Sequence, residues 1–205
     1  MKNKSWLLLS IVLVLSACKS HQKKILIYAN SNIQVDESQK NITVTDGNTQ
    51  VEKELNFTGS DPIVLNISGP QGHYTLEAKE DGFWLANLKK DTIVGSLQHT
   101  GNTAHNRITQ EELNHRLDSL NQLVKGTNVS ALAKNYFIVP SKIEKISDNT
   151  NVKIFGPFTS IPNDFDAGSV SEIYKFYNLS EVSTIIQKLT EMSMVVWKCG
   201  SVELK

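Results

Sequence analysis

From Lys24 to about Thr100, apolar and polar residues alternate in short runs. Ile25, Leu26, Ile27 and Tyr28 form a first apolar strand. Ile42 and Val44 alternate before Asp46-Gly47, a pair suited to a tight hairpin turn. Val51, Leu55 and Phe57 line one face of the next strand, and Ile63, Leu65 and Ile67 alternate cleanly. Tyr74, Leu76 and Ala78 continue the series. Phe83 to Leu88 is apolar on both faces except at Asn87, and Ile93, Val94 and Leu97 close the run. Turn residues punctuate it at Ser60-Asp61-Pro62, Gly69-Pro70-Gln71-Gly72, Asp81-Gly82 and Lys89-Lys90-Asp91. Period-two alternation with this even punctuation predicts an antiparallel β-rich part, a sandwich or an open-barrel meander, over residues 24–100.

The pattern changes after a polar stretch at residues 100–108 that looks like a linker. Thr109 and Glu112 read as a capping box, in which the hydroxyl accepts from a free backbone N–H and the carboxylate reaches back. Leu113, Leu117, Leu120 and Val124 follow at helical spacing, and Gly126 ends the helix. Tyr136 to Val139, stopped by Pro140, predicts a short strand, with others near Ile143 and Ile146 and over Val152 to Phe155. A last amphipathic helix is expected after Ser180 as N-cap, with Val182, Ile185, Ile186, Leu189 and Met192 on one stripe. The fold class expected is α+β. The β-rich part is followed by a smaller part, residues 101–205, with two amphipathic helices and short strands.

The N-terminus carries the most specific signal. A basic start, Met1-Lys2-Asn3-Lys4, precedes an apolar run from Trp6 to Ala17 of 12 residues, broken by Ser10 and Ser16. A membrane-spanning helix needs about 20 residues, so this run fits a secretory signal peptide instead. It ends in Leu15-Ser16-Ala17-Cys18. That sequence resembles the lipobox of bacterial lipoproteins, with leucine three before an invariant cysteine and small residues between. The resemblance implies diacylglycerol and palmitate-type acylation at Cys18, removal of residues 1–17, and a lipid anchor with residues 18–23 as tether. Each buried methylene contributes about 0.8 kcal/mol, and two or three chains make such attachment stable. The competing reading is an ordinary signal peptide with an incidental cysteine. Lys19 is not the aspartate that retains such proteins in an inner membrane, so a cell-envelope site is expected, in the outer membrane if the host has two.

Composition narrows the remainder. Cleavage leaves 188 residues, with 19 basic against 21 acidic and a net charge of about −2. Nothing in that balance favours nucleic acid, which usually meets a basic face. With Cys18 lipidated, Cys199 has no partner within the chain. A free thiol, an intermolecular link and a buried apolar residue are its open roles.

Candidate chemistry is thin. His99, His105 and His115 with Glu111 and Glu112 suggest a zinc set, and Glu111 and His115 share a helix face four residues apart. The histidines lack the tight pairing of metal motifs, so solvated surface histidines are the bland alternative. Asp164 and Asp166 flank Phe165 and could serve as paired carboxylates, or form an acidic turn. No Gly-x-Ser-x-Gly elbow, phosphate-cradling loop or dinucleotide fingerprint is present, so no cofactor is expected. Aromatic residues with polar handles recur at binding faces, which singles out Tyr74, Trp84, Tyr174 and Tyr177. Phe83 and Trp84 point to opposite faces, one to the core and one outward. The function expected is a non-catalytic envelope lipoprotein that binds a partner protein or glycan. The alternative is a metal- or carboxylate-dependent hydrolase of an envelope polymer.

Overall fold

A computed structural model describes residues 21–98, 109–130, 132–162, 168 and 170–200, and their side chains except at 112, 116 and 192–200. Cys18 and its lipobox, the linker with His99 and His105, and Asp164 and Asp166 lie outside the described residues. So do the side chains of Glu112, Met192 and Cys199. The chain is α+β. In order it forms β1 (Gln22–Asp36), β2 (Asn41–Thr58), β3 (Ile63–Gly69), β4 (Gly72–Ala78), β5 (Gly82–Asn87) and β6 (Ile93–Leu97). After these come α1 (Gln110–Val124), β7 (Asn135–Ile138), β8 (Lys142–Ser147), β9 (Val152–Phe155), β10 (Glu172–Asn178) and α2 (Leu179–Gly200).

The first sheet has the order β4-β3-β2-β1-β5-β8, and the second β7-β6-β10-β9. The first is mixed rather than a simple antiparallel meander. β1 pairs with β2, β3 with β4 and β5 with β8 in antiparallel fashion, whereas β1–β5 and β2–β3 are parallel. The sheets also interleave along the chain. β6, from before residue 100, joins the second sheet, and β8, from after it, joins the first.

The hairpin of β1 and β2 turns at residues 37–40, not at Asp46-Gly47. Asp36 Oδ1 accepts from Ser38 N (3.0 Å), Ser38 Oγ (2.6 Å) and Gln39 N (3.1 Å), an aspartate-built turn. Asp46-Gly47 instead lies in a bulge. The register jumps from Asn30↔Gln50 to Asn32↔Thr45, so residues 46–49 oppose Ser31 alone. Asn32 ties the bulge down, donating to the Asp46 carbonyl (3.4 Å) and accepting from Thr49 Oγ1 (2.7 Å). Such an insertion bends a strand. The bend lets the sheet curl until β4 and β8 face each other, joined by Ser141 Oγ to Gln71 Oε1 (2.8 Å) and Lys145 Nζ to Glu80 Oε2 (2.7 Å).

Three apolar layers follow. Inside the curled sheet lie Ile25, Ile27, Leu55, Leu65, Trp84 and Ala86 with their neighbours. On its outer face Leu26, Tyr28, Phe83 and Leu85 pack against Ile93, Tyr136, Tyr174 and Phe176 of the second sheet. Behind that sheet, Val94 meets Leu123 of α1 and Val182 of α2. β5 is therefore buried on both faces. Both Phe83 and Trp84 are in cores, and neither points outward.

α1 ends as the pattern requires. Gly126, at φ 66°, gives its N–H to Leu123 O (3.1 Å), and Thr127 gives its own to Gln122 O (2.9 Å). This is the paired closure that left-handed glycine permits at a helix C-terminus. At α2 the cap is Asn178, not Ser180, because Glu181 accepts the Asn178 N–H at 2.8 Å. Lys89, placed by its neighbours in a solvent turn, is 1% exposed. Its Nζ bonds Asn178 Oδ1 and lies 5.3 Å from the centre of the Phe158 ring, and burial pulls its pKa down.

Candidate binding groove

The chain enters the first sheet at Gln22, beside the turns that end β2, β4 and β8. Thr150 Oγ1 donates to Gln22 Oε1 at 3.3 Å. Lys23, 1% exposed, is sealed beneath these turns and gives its protons to Gly59 O (2.8 Å), Ser60 O (3.4 Å) and Asp81 Oδ1 (3.2 Å). A buried ammonium is tolerated because acceptors replace its water. His21 Nδ1 stands 2.6 Å from the other Asp81 oxygen. These contacts hold the Asp81 carboxyl below its ordinary pKa, with the His21 bond the main cause.

Around this point runs a polar groove. One stretch is lined by Gln22, Glu80, Asp81, Lys145, Asp148, Asn149 and Thr150. It continues, through the shared Lys145, Asp148 and Asn149, into a stretch floored by Tyr136 and Tyr174 and walled by Lys134 and Glu172. Lys145 is the pivot. Its Nζ lies 2.7 Å from both Glu80 Oε2 and Asp148 Oδ1. Burial lowers its pKa, but the two carboxylates outweigh this and raise it above the ordinary value. At the floor, Tyr136 donates to the Ile146 carbonyl at 2.6 Å. Tyr174 lies within reach of that carbonyl (3.2 Å) and of Glu172 Oε2 (3.0 Å). Burial raises both phenols, Tyr136 to about 12, so they remain donors at neutral pH. Glu172 would be raised by burial, but bonds from Lys134, Ser147 and Tyr174 hold it below its ordinary range. It is an ionised acceptor rather than a proton donor. Chemically, the groove offers ammonium, carboxylate, amide and hydroxyl groups, each already fixed by a neighbour.

The aromatic residues singled out by the sequence scatter. Tyr174 is fully buried, with its hydroxyl at the groove floor. Trp84 is a core residue whose indole N–H goes to Glu80 O (3.0 Å), so the binding role expected for its ring is replaced by packing. Tyr177 is half-buried against the helices, under the Lys175 ammonium at 4.8 Å. Tyr74 lines a separate pocket at the far end of the first sheet. Glu111 and His115 both stand exposed on α1, while His105 lies outside the described residues. No group of three His, Cys, Asp or Glu residues is placed to hold a metal among the described residues. The sequence reading missed Lys145, Asp148, Glu172 and Tyr136. Their only local signal was the polar turn Ser147-Asp148-Asn149-Thr150, since the site draws on four separate strands and their turns.

No family model, curated protein or solved structure matches this chain.

Proposed function

We propose that this chain is a non-catalytic bacterial envelope lipoprotein, anchored through lipid on Cys18, that binds a glycan in the polar groove. The observation that carries the reading is the place of the groove. Gln22 lines it, four residues after Cys18. Four extended residues reach about 14 Å at most, so an anchored chain holds this groove near the headgroups. Its lining favours a hydroxyl-rich ligand. Glu80, Asp81, Lys145, Asp148, Asn149 and Thr150 supply hydrogen-bonding groups along the stretch beside Gln22, and Tyr136 and Tyr174 floor the adjoining stretch.

Two measurements test the reading on the full-length chain. Metabolic labelling with an alkyne fatty acid should mark the natural protein and not Cys18→Ala. Equal labelling of both would remove the anchor. A glycan array probed with the detergent-solubilised protein should show saturable binding that Asp148→Ala weakens about tenfold, the loss of one or two charge-assisted hydrogen bonds. Binding to envelope proteins and to no glycan would reassign the groove. A second reading, a carboxylate hydrolase of an envelope polymer, would give to Asp148 and Glu172, which share the groove, the paired role expected of Asp164 and Asp166. Polymer cleavage abolished by Glu172→Gln would favour it.

A further inference from the structure

Charge is not spread evenly along the groove. The stretch beside Gln22 sets the carboxylates of Glu80, Asp81 and Asp148 around a single lining ammonium, Lys145. Lys23 answers Asp81 from beneath, with its side chain 1% exposed. The side chains of Glu80 and Asp148 are 72% and 96% exposed, against 22% for Lys145. The carboxylates therefore stand outward, and both ammoniums are sunk behind them. Lys145 is also shared between Glu80 and Asp148, so neither is matched one to one. Hydrogen bonds from His21 to Asp81 and from Lys145 to Asp148 hold these two carboxyls below their ordinary range, and both are ionised at neutral pH. The adjoining stretch is balanced. There Lys134 pairs with Glu172, one charge with one, beside the hydroxyls of Tyr136 and Tyr174.

We propose, on the reading of this groove as a glycan site, that its ligand is an amino sugar with a free amine, its ammonium set against the outward carboxylates and its hydroxyls toward Asn149, Thr150 and the tyrosine floor. Complementary charge selects among partners more than it adds raw affinity. An acidic sugar would bring its own carboxylate against those of Glu80, Asp81 and Asp148, and like charges brought together are disfavoured. An N-acetylated sugar keeps the hydroxyls but has no charge to offer them. A free amine gains from each outward carboxylate, and those carboxylates are already held in place by Lys145, Lys23 and His21. Ligand groups that meet fixed partners lose less on ordering. The gain from exposed charges is modest and is screened by salt, which makes it measurable.

The test compares two probes on the full-length chain in detergent, a glucosamine oligosaccharide with free amines and the same oligosaccharide fully N-acetylated. At about pH 5.5 the sugar amines are charged, and the lowered carboxyls of Asp81 and Asp148 remain ionised. In about 20 mM salt the free-amine probe should bind about tenfold more tightly than the acetylated one. In about 500 mM salt that advantage should fall to about twofold or less, because the screening length shrinks from about 20 Å to about 4 Å. Asp148→Asn changes an outward side chain and should bring the two probes to within about threefold of each other in low salt. Equal binding of the two probes, tighter binding of the acetylated one, or an advantage that salt leaves untouched overturns the amino-sugar assignment and leaves the glycan reading standing. So does an oligolysine of equal charge that binds as tightly as the free-amine probe, since charge alone would then be recognised. Binding of neither probe and of no other glycan overturns both.

Discussion

β5 and β2 belong to one sheet and live under opposite conditions. β5 has six residues, all buried, and lies between β1 and β8 with a core on each face. β2 has 18 residues, and most of those from Thr45 to Glu54 are exposed. The difference shows where this sheet draws its stability. A strand covered on both faces is fixed by packing and tolerates little change. A strand that pairs with β1 along its length and with β3 only over Asn41 to Thr43 leaves much of its surface to water.

Leu85→Ala should break the contrast most severely. Leu85 is fully buried between the sheets, and deleting it should cost about 3–5 kcal/mol in urea unfolding. A loss under about 1 kcal/mol would mean that the two sheets are not packed as described. Gly82→Ala comes next. Gly82 opens β5 at φ 131°, and an added Cβ would stand 2.2 Å from Ser147 O, on the neighbouring β8. Strain of about 1–3 kcal/mol is expected, read as a lower urea midpoint with an unchanged slope.

Acid should act on Asp81, beside β5, and on Glu172 of β10. Asp81 and Glu172 both have folded pKa values below the ordinary carboxylate range. As pH falls the unfolded chain takes up protons first, from about pH 4. Their stabilisation is thus complete above that value and is lost as pH drops through the lowered folded values. The melting temperature should stay level from about pH 7 to 5 and fall by several degrees by about pH 3. Glu172→Gln should melt lower at neutral pH and show a shallower acid slope. The smallest effect belongs to β2 itself. Gln50→Ala, on the exposed stretch, should change stability by less than about 0.5 kcal/mol. A larger loss would show that something covers this edge in solution.

Several features were legible because their causes are local. The positions of β3, β4, β5 and β6 follow from period-two alternation and their turn residues, and the end of α1 follows from Gly126. The turn at Asp36 was also written locally, in Asp36-x-Ser38, but Asp46-Gly47 gave the stronger turn signal and drew the prediction. The groove left almost no local trace. Lys145 becomes its pivot only when β8 approaches β4 and brings Glu80 within reach.

By itself the sequence determined both helices and most strands, though not β10 or the length of β1 and β2, as well as where α1 stops and the lipobox-like N-terminus with its expectation of an anchor. Tertiary structure alone decided that β1 lies parallel to β5, that β6 and β8 change sheets, and that Phe83 and Trp84 are both buried. The reason is physical. Alternation and capping report how one segment's side chains and backbone meet their immediate neighbours. Which edges pair, which faces are covered and which charges meet depend on residues far apart in the chain, as with Gln22 and Thr150, 128 positions apart. Such contacts follow from the pairing of β1 with β5 and of β5 with β8, which no single segment specifies.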